Sequence, residues 1–110
     1  AHKVQHKAAK VGFDWPDVTG ALPKIAEEAD ELVQAADDDA RRDELGDLLF
    51  AVVNVARHLG LDPESALRAA TNKFRTRFEQ VERLAAERGI DIHASSLDQL
   101  DALWNEVKAR

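Results

Sequence analysis

Apolar residues recur along most of this chain at alternating steps of three and four, the spacing of helices with one buried face. Nowhere do they alternate long enough to make a convincing strand. Five helices are predicted. The first covers about Lys3 to Val11, with Val4, Ala8 and Val11 on one face, and stops at Gly12. A loop with two aromatics and turn residues follows, Phe13-Asp14-Trp15-Pro16-Asp17. The second helix is placed from near Pro23, a favoured first helical residue, with Ile25, Ala29, Leu32 and Val33 inward. Asp37-Asp38-Asp39 reads as a solvated turn that ends it. The third runs from about Arg41 to Leu59 and is closed by Gly60. Asp62-Pro63 is a cap-and-start signal for a fourth helix reaching about Arg88, whose seam is Leu67, Ala70, Phe74, Phe78, Val81 and Ala85. Gly89 to Ser96 is a loop, with Ser96 as cap of a fifth helix, Leu97 to Lys108.

The fold class predicted is therefore all-α, a bundle of about five helices. With 110 residues and no internal repeat or linker, the chain reads as one domain over residues 1–110. The third helix changes this picture. Leu45, Leu48, Leu49, Val52, Val53, Val55, Ala56 and Leu59 make it apolar nearly all round, so it needs cover on more than one side. So small a chain can hardly supply that, and a homodimer with this helix at its centre is expected.

Composition removes several function classes. Without cysteine there are no disulfides, thiolate zinc sites or cysteine nucleophiles, a usage that fits the cytoplasm. No apolar run approaches a membrane span, and no signal peptide is evident. The net charge of −6 argues against general nucleic-acid binding, so a phosphate-bearing ligand would have to be held locally.

Two acidic clusters carry the candidate chemistry: Glu27-Glu28-Ala29-Asp30-Glu31 and Glu44-Leu45-Gly46-Asp47. Glu28 and Glu31 share a helix face, as do Glu44 and Asp47, because residues three apart are neighbours there. Acidic runs on helices are usually solvated faces. Here both pairs flank apolar runs on consecutive helices joined by a short turn, and like charges at the edge of a core resist desolvation unless neutralised. Oxygen donors without cysteine or a suitably spaced histidine suggest Mg²⁺, or Mn²⁺, over Zn²⁺. Gly46, inside a helix at a cost of about 1 kcal/mol, suggests close approach of another helix or a ligand.

Lys73 and Arg77 lie four apart, each just before a phenylalanine assigned to the core, and Lys24 lies one turn before Glu28. Trp104 and Lys108 are again four apart. Singly, these cations read as surface residues or partners for the acids. Together with a metal cage they are the parts that hold a triphosphate and a base. Asn54 reads as a buried polar group bonded to a neighbouring helix or across an interface, and Trp15 as packing its loop. The histidines are scattered. Two other readings compete. A di-iron bundle lacks its Glu-x-x-His pairs. A non-catalytic helical dimer, offering an acidic patch to a basic partner, would release no pyrophosphate from any nucleotide.

Glu27-Glu28-x-x-Glu31 followed by Glu44-x-x-Asp47 resembles the signature of the all-α nucleoside triphosphate pyrophosphohydrolases. The closer resemblance is to the MazG family. It extends to Val4-Gln5-x-Lys7-Ala8-Ala9, Val11-Gly12-Phe13-Asp14-Trp15, Gly46-Asp47-Leu48-Leu49-Phe50, Asn54-Val55-Ala56-Arg57 and Lys73-Phe74-x-x-Arg77-Phe78, nearly the whole chain. The resemblance implies Mg²⁺ on Glu28, Glu31, Glu44 and Asp47, with Glu27 orienting a ligand or the attacking water. It implies phosphate oxygens on Lys73 and Arg77, with Lys24 as a weaker addition, and nucleotide contact by Trp104 and Lys108. It further implies hydrolysis of nucleoside triphosphates to monophosphate and pyrophosphate by dimers or dimers of dimers. Relatives often have two tandem domains, and this chain resembles the C-terminal, catalytically competent one. It departs from many relatives in having Thr71 where they carry asparagine, with Asn72 displaced by one.

Overall fold

The computed structural model describes residues 1–110. All regular structure in it is helical: α1 (His2–Lys10), α2 (Val18–Gln34), α3 (Asp38–His58), α4 (Pro63–Glu87), a short 3-10 turn (Ile92–Ala94) and α5 (Leu97–Lys108). The chain divides into two compact units, Ala1–Glu64 and Ser65–Arg110. No helix is long and apolar enough to cross a membrane.

Aspartates set the helix starts in the first unit, and this corrects two predicted boundaries. Asp17 accepts a hydrogen bond from the Gly20 N–H, so α2 begins at Val18, more than a turn before Pro23. Pro23 then sits inside the helix, where it has no N–H to donate to the Thr19 carbonyl. Asp37 accepts from the Ala40 N–H at 2.8 Å, while Asp38 and Asp39 fall in the first turn of α3, where negative charge suits the helix dipole. The triple aspartate thus opens α3 and does not close α2. At the far end of α3, Gly60 adopts φ +72°, and Leu61 N–H returns to the Ala56 carbonyl, a glycine-dependent stop.

Within this unit α2 and α3 form the most extensive helix pair, and α1 lies against α3. Gln5 ties the two together. It is buried, and its Nε2 donates to the Phe50 carbonyl at 2.7 Å. The apolar core of the unit is slight, with Ala21 and Ala51 its only buried apolar residues. As expected of so small a chain, α3 is not covered on every side: Leu45, Leu49, Val52 and Leu59, spaced along one face, remain 45%, 57%, 43% and 55% exposed. Nor does anything crowd Gly46, since a Cβ there would meet no atom within 4 Å.

The second unit has the clearer core. Val81, Leu84 and Ala85 of α4 pack with Leu103 and Val107 of α5, flanked by Ile90, Ile92 and Trp104. Ser96 and Gln99 form a reciprocal capping box at the start of α5, worth about 1 kcal/mol. Arg88 grips Glu106 with both guanidinium nitrogens. At ~1.5 Å per residue, the 12-residue α5 can cover only about half of the 25-residue α4. The predicted seam is accordingly buried only at its C-terminal end. Phe74 and Phe78, expected in the core, are 60% and 42% exposed.

Candidate functional site

Three carboxylates converge in the first unit. Glu28 and Glu31 of α2 and Glu44 of α3 each offer an oxygen, all within 4.8 Å of one another. Glu28 is buried, Glu44 half-buried and Glu31 exposed. The remaining predicted ligand, Asp47, belongs to an adjoining trio with Glu44 and Asp43, also within 4.8 Å. Asp43 was missed from sequence, although its spacing of four from Asp47 places both on one face.

The charges within the first trio are partly compensated. Lys24 Nζ lies 3.0 Å from Glu28 and 3.3 Å from Glu27, so the structure gives this lysine to the acids. Its ammonium holds the Glu28 carboxyl below the ordinary range. Glu31 is pushed the other way, to about 7, by hydrogen bonding with Glu44 and then Glu28, reinforced by their charge. One lysine and a partly protonated Glu31 do not complete the cluster. Glu28 Oε2 and Glu44 Oε2 are buried without any hydrogen-bond partner, although buried oxygens of this kind are normally satisfied. A cage of carboxylate oxygens with two orphaned acceptors fits a hard divalent cation.

Glu28, Asp47 and Lys24 also line a cavity of about 670 Å³ whose other walls include Gln5, Trp15 and Asn54. Trp15 packs beside Gly20, where an added Cβ would come to 3.4 Å of the Trp15 Cβ and 3.7 Å of its ring Cγ. Asn54 bonds within its own helix, accepting from Arg57. That arginine and His58 both reach back to Asp14 of the α1–α2 loop, His58 at 3.0 Å. This cluster joins two motifs distant in sequence and was also missed, because neither motif shows a partner by local spacing. Arg57 lowers the Asp14 carboxyl to about 2. Its ordinary value is 3.8, so the unfolded chain takes up the proton first as pH falls. Stability from this group is therefore complete above about pH 4 and lost toward pH 2. Asp14→Asn is expected to flatten the pH dependence of thermal stability in that window, as read by melting curves against wild type.

In the second unit, Lys73 and Arg77 of α4 and Lys108 of α5 line one cleft of about 750 Å³. Asn72 lines it too, whereas the Thr71 hydroxyl donates to the Leu67 carbonyl of its own helix. Of the two neighbours, the displaced asparagine is thus the one that lines the cleft, together with Thr76 and Gln80. Trp104 lies outside that lining, its ring 5.3 Å from Phe74, which in turn stacks on Phe78 at 6.2 Å. Glu27 is exposed and engaged by Lys24.

The chain is similar to known proteins over nearly all of its length. Residues 17–82, which include both acidic trios and the Lys73–Arg77 pair, match the MazG nucleotide pyrophosphohydrolase domain. The chain is 44% identical over 108 residues to the nucleoside triphosphate pyrophosphohydrolase/pyrophosphatase MazG of Thermotoga maritima, covering 98% of this chain and 42% of that protein. It is 44% identical over 113 residues to the nucleoside triphosphate pyrophosphohydrolase of Escherichia coli K12, covering 98% and 43%. YabN of Bacillus subtilis, described as uncharacterized, is 49% identical over 65 residues, covering 59% of this chain and 13% of its own length. The chain spans about two fifths of the length of the first two relatives. Matched over well more than half its length, the chain belongs to the MazG nucleotide pyrophosphohydrolase domain family.

Proposed function

We propose that this chain is one functional domain that hydrolyses nucleoside triphosphates to nucleoside monophosphate and pyrophosphate with Mg²⁺. The observation that carries the proposal is the pair of buried, unpartnered oxygens on Glu28 and Glu44 inside a three-carboxylate cluster. The names of the two relatives matched over nearly the whole chain point to the same reaction.

Glu28, Glu31, Glu44 and Asp47 hold the cation in this reading. Bound there, Mg²⁺ supplies neutralising charge and acidifies a water. Lys24, held by Glu28 at 3.0 Å, would be available to a phosphate oxygen when the Glu28 charge is met by the ion. Lys73, Arg77 and Lys108 hold phosphate oxygens and stabilise the charge that develops as the bond to the β-phosphate breaks. Glu27 orients the water that adds to the α-phosphorus. Trp104 offers a ring face to the nucleotide. The open α3 stripe supports a homodimer as the working form.

A panel of standard and damaged nucleoside triphosphates tests the reaction. With Mg²⁺, pyrophosphate and monophosphate are expected in equal amounts, and chelation should abolish both. Release of orthophosphate with nucleoside diphosphate, or no turnover of any member, would refute the proposal.

A further inference from the structure

Two blocks of the first unit have no part in the proposed reaction: Phe13-Asp14-Trp15 of the α1–α2 loop and Asn54-Val55-Ala56-Arg57 of α3. The fold joins them at one atom. Asp14 Oδ1 accepts from the Trp15 N–H at 2.9 Å and from Arg57 Nη2, and His58 Nε2 lies 3.0 Å from it. The same Nη2 also donates to Asn54 Oδ1. Arg57 thus ties the loop to α3 and fixes the turn of the Asn54 amide, whose oxygen has to face the guanidinium.

Stability alone is a weak account of this arginine. Its side chain is largely buried, and its Nε has no hydrogen-bond partner. Drawing a guanidinium out of water is costly, and an unsatisfied nitrogen adds to the cost. An ion pair of this kind gains little over apolar packing of the same volume; what it adds here is a fixed geometry. The loop needs that, because it has little packing of its own: Phe13 is 82% exposed.

Phe13, Asp14 and Trp15 nevertheless line the cavity of about 670 Å³ in succession, and Asn54 and Arg57 line it from α3. Glu28 and Asp47 line the same cavity. A triphosphate anchored through those acids therefore meets, at its nucleoside end, a wall made of this loop. We infer that Arg57 is a positioning residue, a clamp that holds Asp14 and Asn54 so that the α1–α2 loop is set for the nucleoside. The inference rests on the reading of the carboxylates as the anchor of a nucleoside triphosphate.

Calorimetry with two probes in Mg²⁺ separates this role from a general structural one. Inorganic tripolyphosphate offers phosphates only. α,β-Methylene-ATP adds a nucleoside and cannot be cleaved between its α and β phosphorus atoms. In Arg57→Gln the Kd of the methylene analogue is expected to rise about tenfold, as a displaced contact wall would cause. The Kd of tripolyphosphate should stay within about twofold. In turnover the same variant should raise KM and leave kcat within about threefold, as when binding common to ground and transition states is lost. Asp14→Asn should act in the same direction, and the double variant no more strongly than the larger single, because both break one unit. The double variant also carries the test if Arg57→Gln fails to fold, since it leaves Asp14 no unmatched charge. Arg41→Gln, which removes an arginine paired with Asp38 elsewhere on α3, is the control and should change neither Kd. Equal weakening of both probes would make Arg57 a residue of the fold and overturn the inference. So would an unchanged Kd for the methylene analogue in the folded variant, or no binding of that analogue to wild type. A wild type that binds the analogue, loses it in Arg57→Gln and yet cleaves no triphosphate would uphold the clamp while refuting the proposed reaction.

Discussion

Glu44→Ala is expected to lower pyrophosphate release by about three orders of magnitude, the scale on which loss of a principal charge-stabilising group acts, while the protein remains folded. Glu44 is the one carboxylate common to both acidic trios, so its removal leaves neither intact. It also brings a buried oxygen with no partner, and deleting that oxygen relieves desolvation and repulsion. Activity and stability should therefore move independently. Glu28→Ala is a less clean test, because it strips Lys24 of its nearer partner. The measurement is turnover with saturating Mg²⁺ beside a thermal melt of the same sample. Near-normal turnover by a folded Glu44→Ala protein would remove the carboxylates from the reaction.

Leu49→Asp is expected to convert a dimer to a poorly folded monomer. Leu49 is the most exposed member of the apolar stripe on α3, with Leu45 and Val52 a turn to either side. A free chain would show water a row of large aliphatic groups, beyond the scattered apolar residues that monomers tolerate. Mass action gives a second readout. If association is coupled to folding, each tenfold dilution removes about 1.4 kcal/mol from the dimer's stability, so the wild-type Tm should fall on dilution. Sedimentation of both proteins at several concentrations decides the matter. A wild type that is monomeric, with a concentration-independent Tm, would end the homodimer reading.

Periodicity was enough to identify all five helices, because four carry one apolar face and α3 is apolar nearly all round. The starts of α2 and α3 were harder. Pro23 is a good first residue in general, but Asp17 already caps the helix through the Gly20 N–H more than a turn earlier. At 37–39 the acidic run has the composition of a turn, and only its geometry reveals a cap and a first helical turn. The acidic site was legible since its spacing is local: Glu28 with Glu31, Glu44 with Asp47. Asp14, Arg57 and His58 were not, because their contact spans more than forty residues. Phe74 and Phe78 were misassigned to the core for a different reason. A seam in sequence says that cover is needed, and α5 is too short to provide it along all of α4.

Lys24 has a consequence for how the protein tolerates chelators. In zinc-finger-like domains the ion is part of the fold, and stripping it unfolds the chain. Here an ammonium of the chain's own already leans on Glu28, and the Glu31 carboxyl, raised to about 7 by Glu44 and Glu28, is neutral in part near neutral pH, which offsets further repulsion. Dialysis to an ion-free state should therefore be benign and repeatable, with any cation held by these carboxylates behaving as a visitor rather than a rivet.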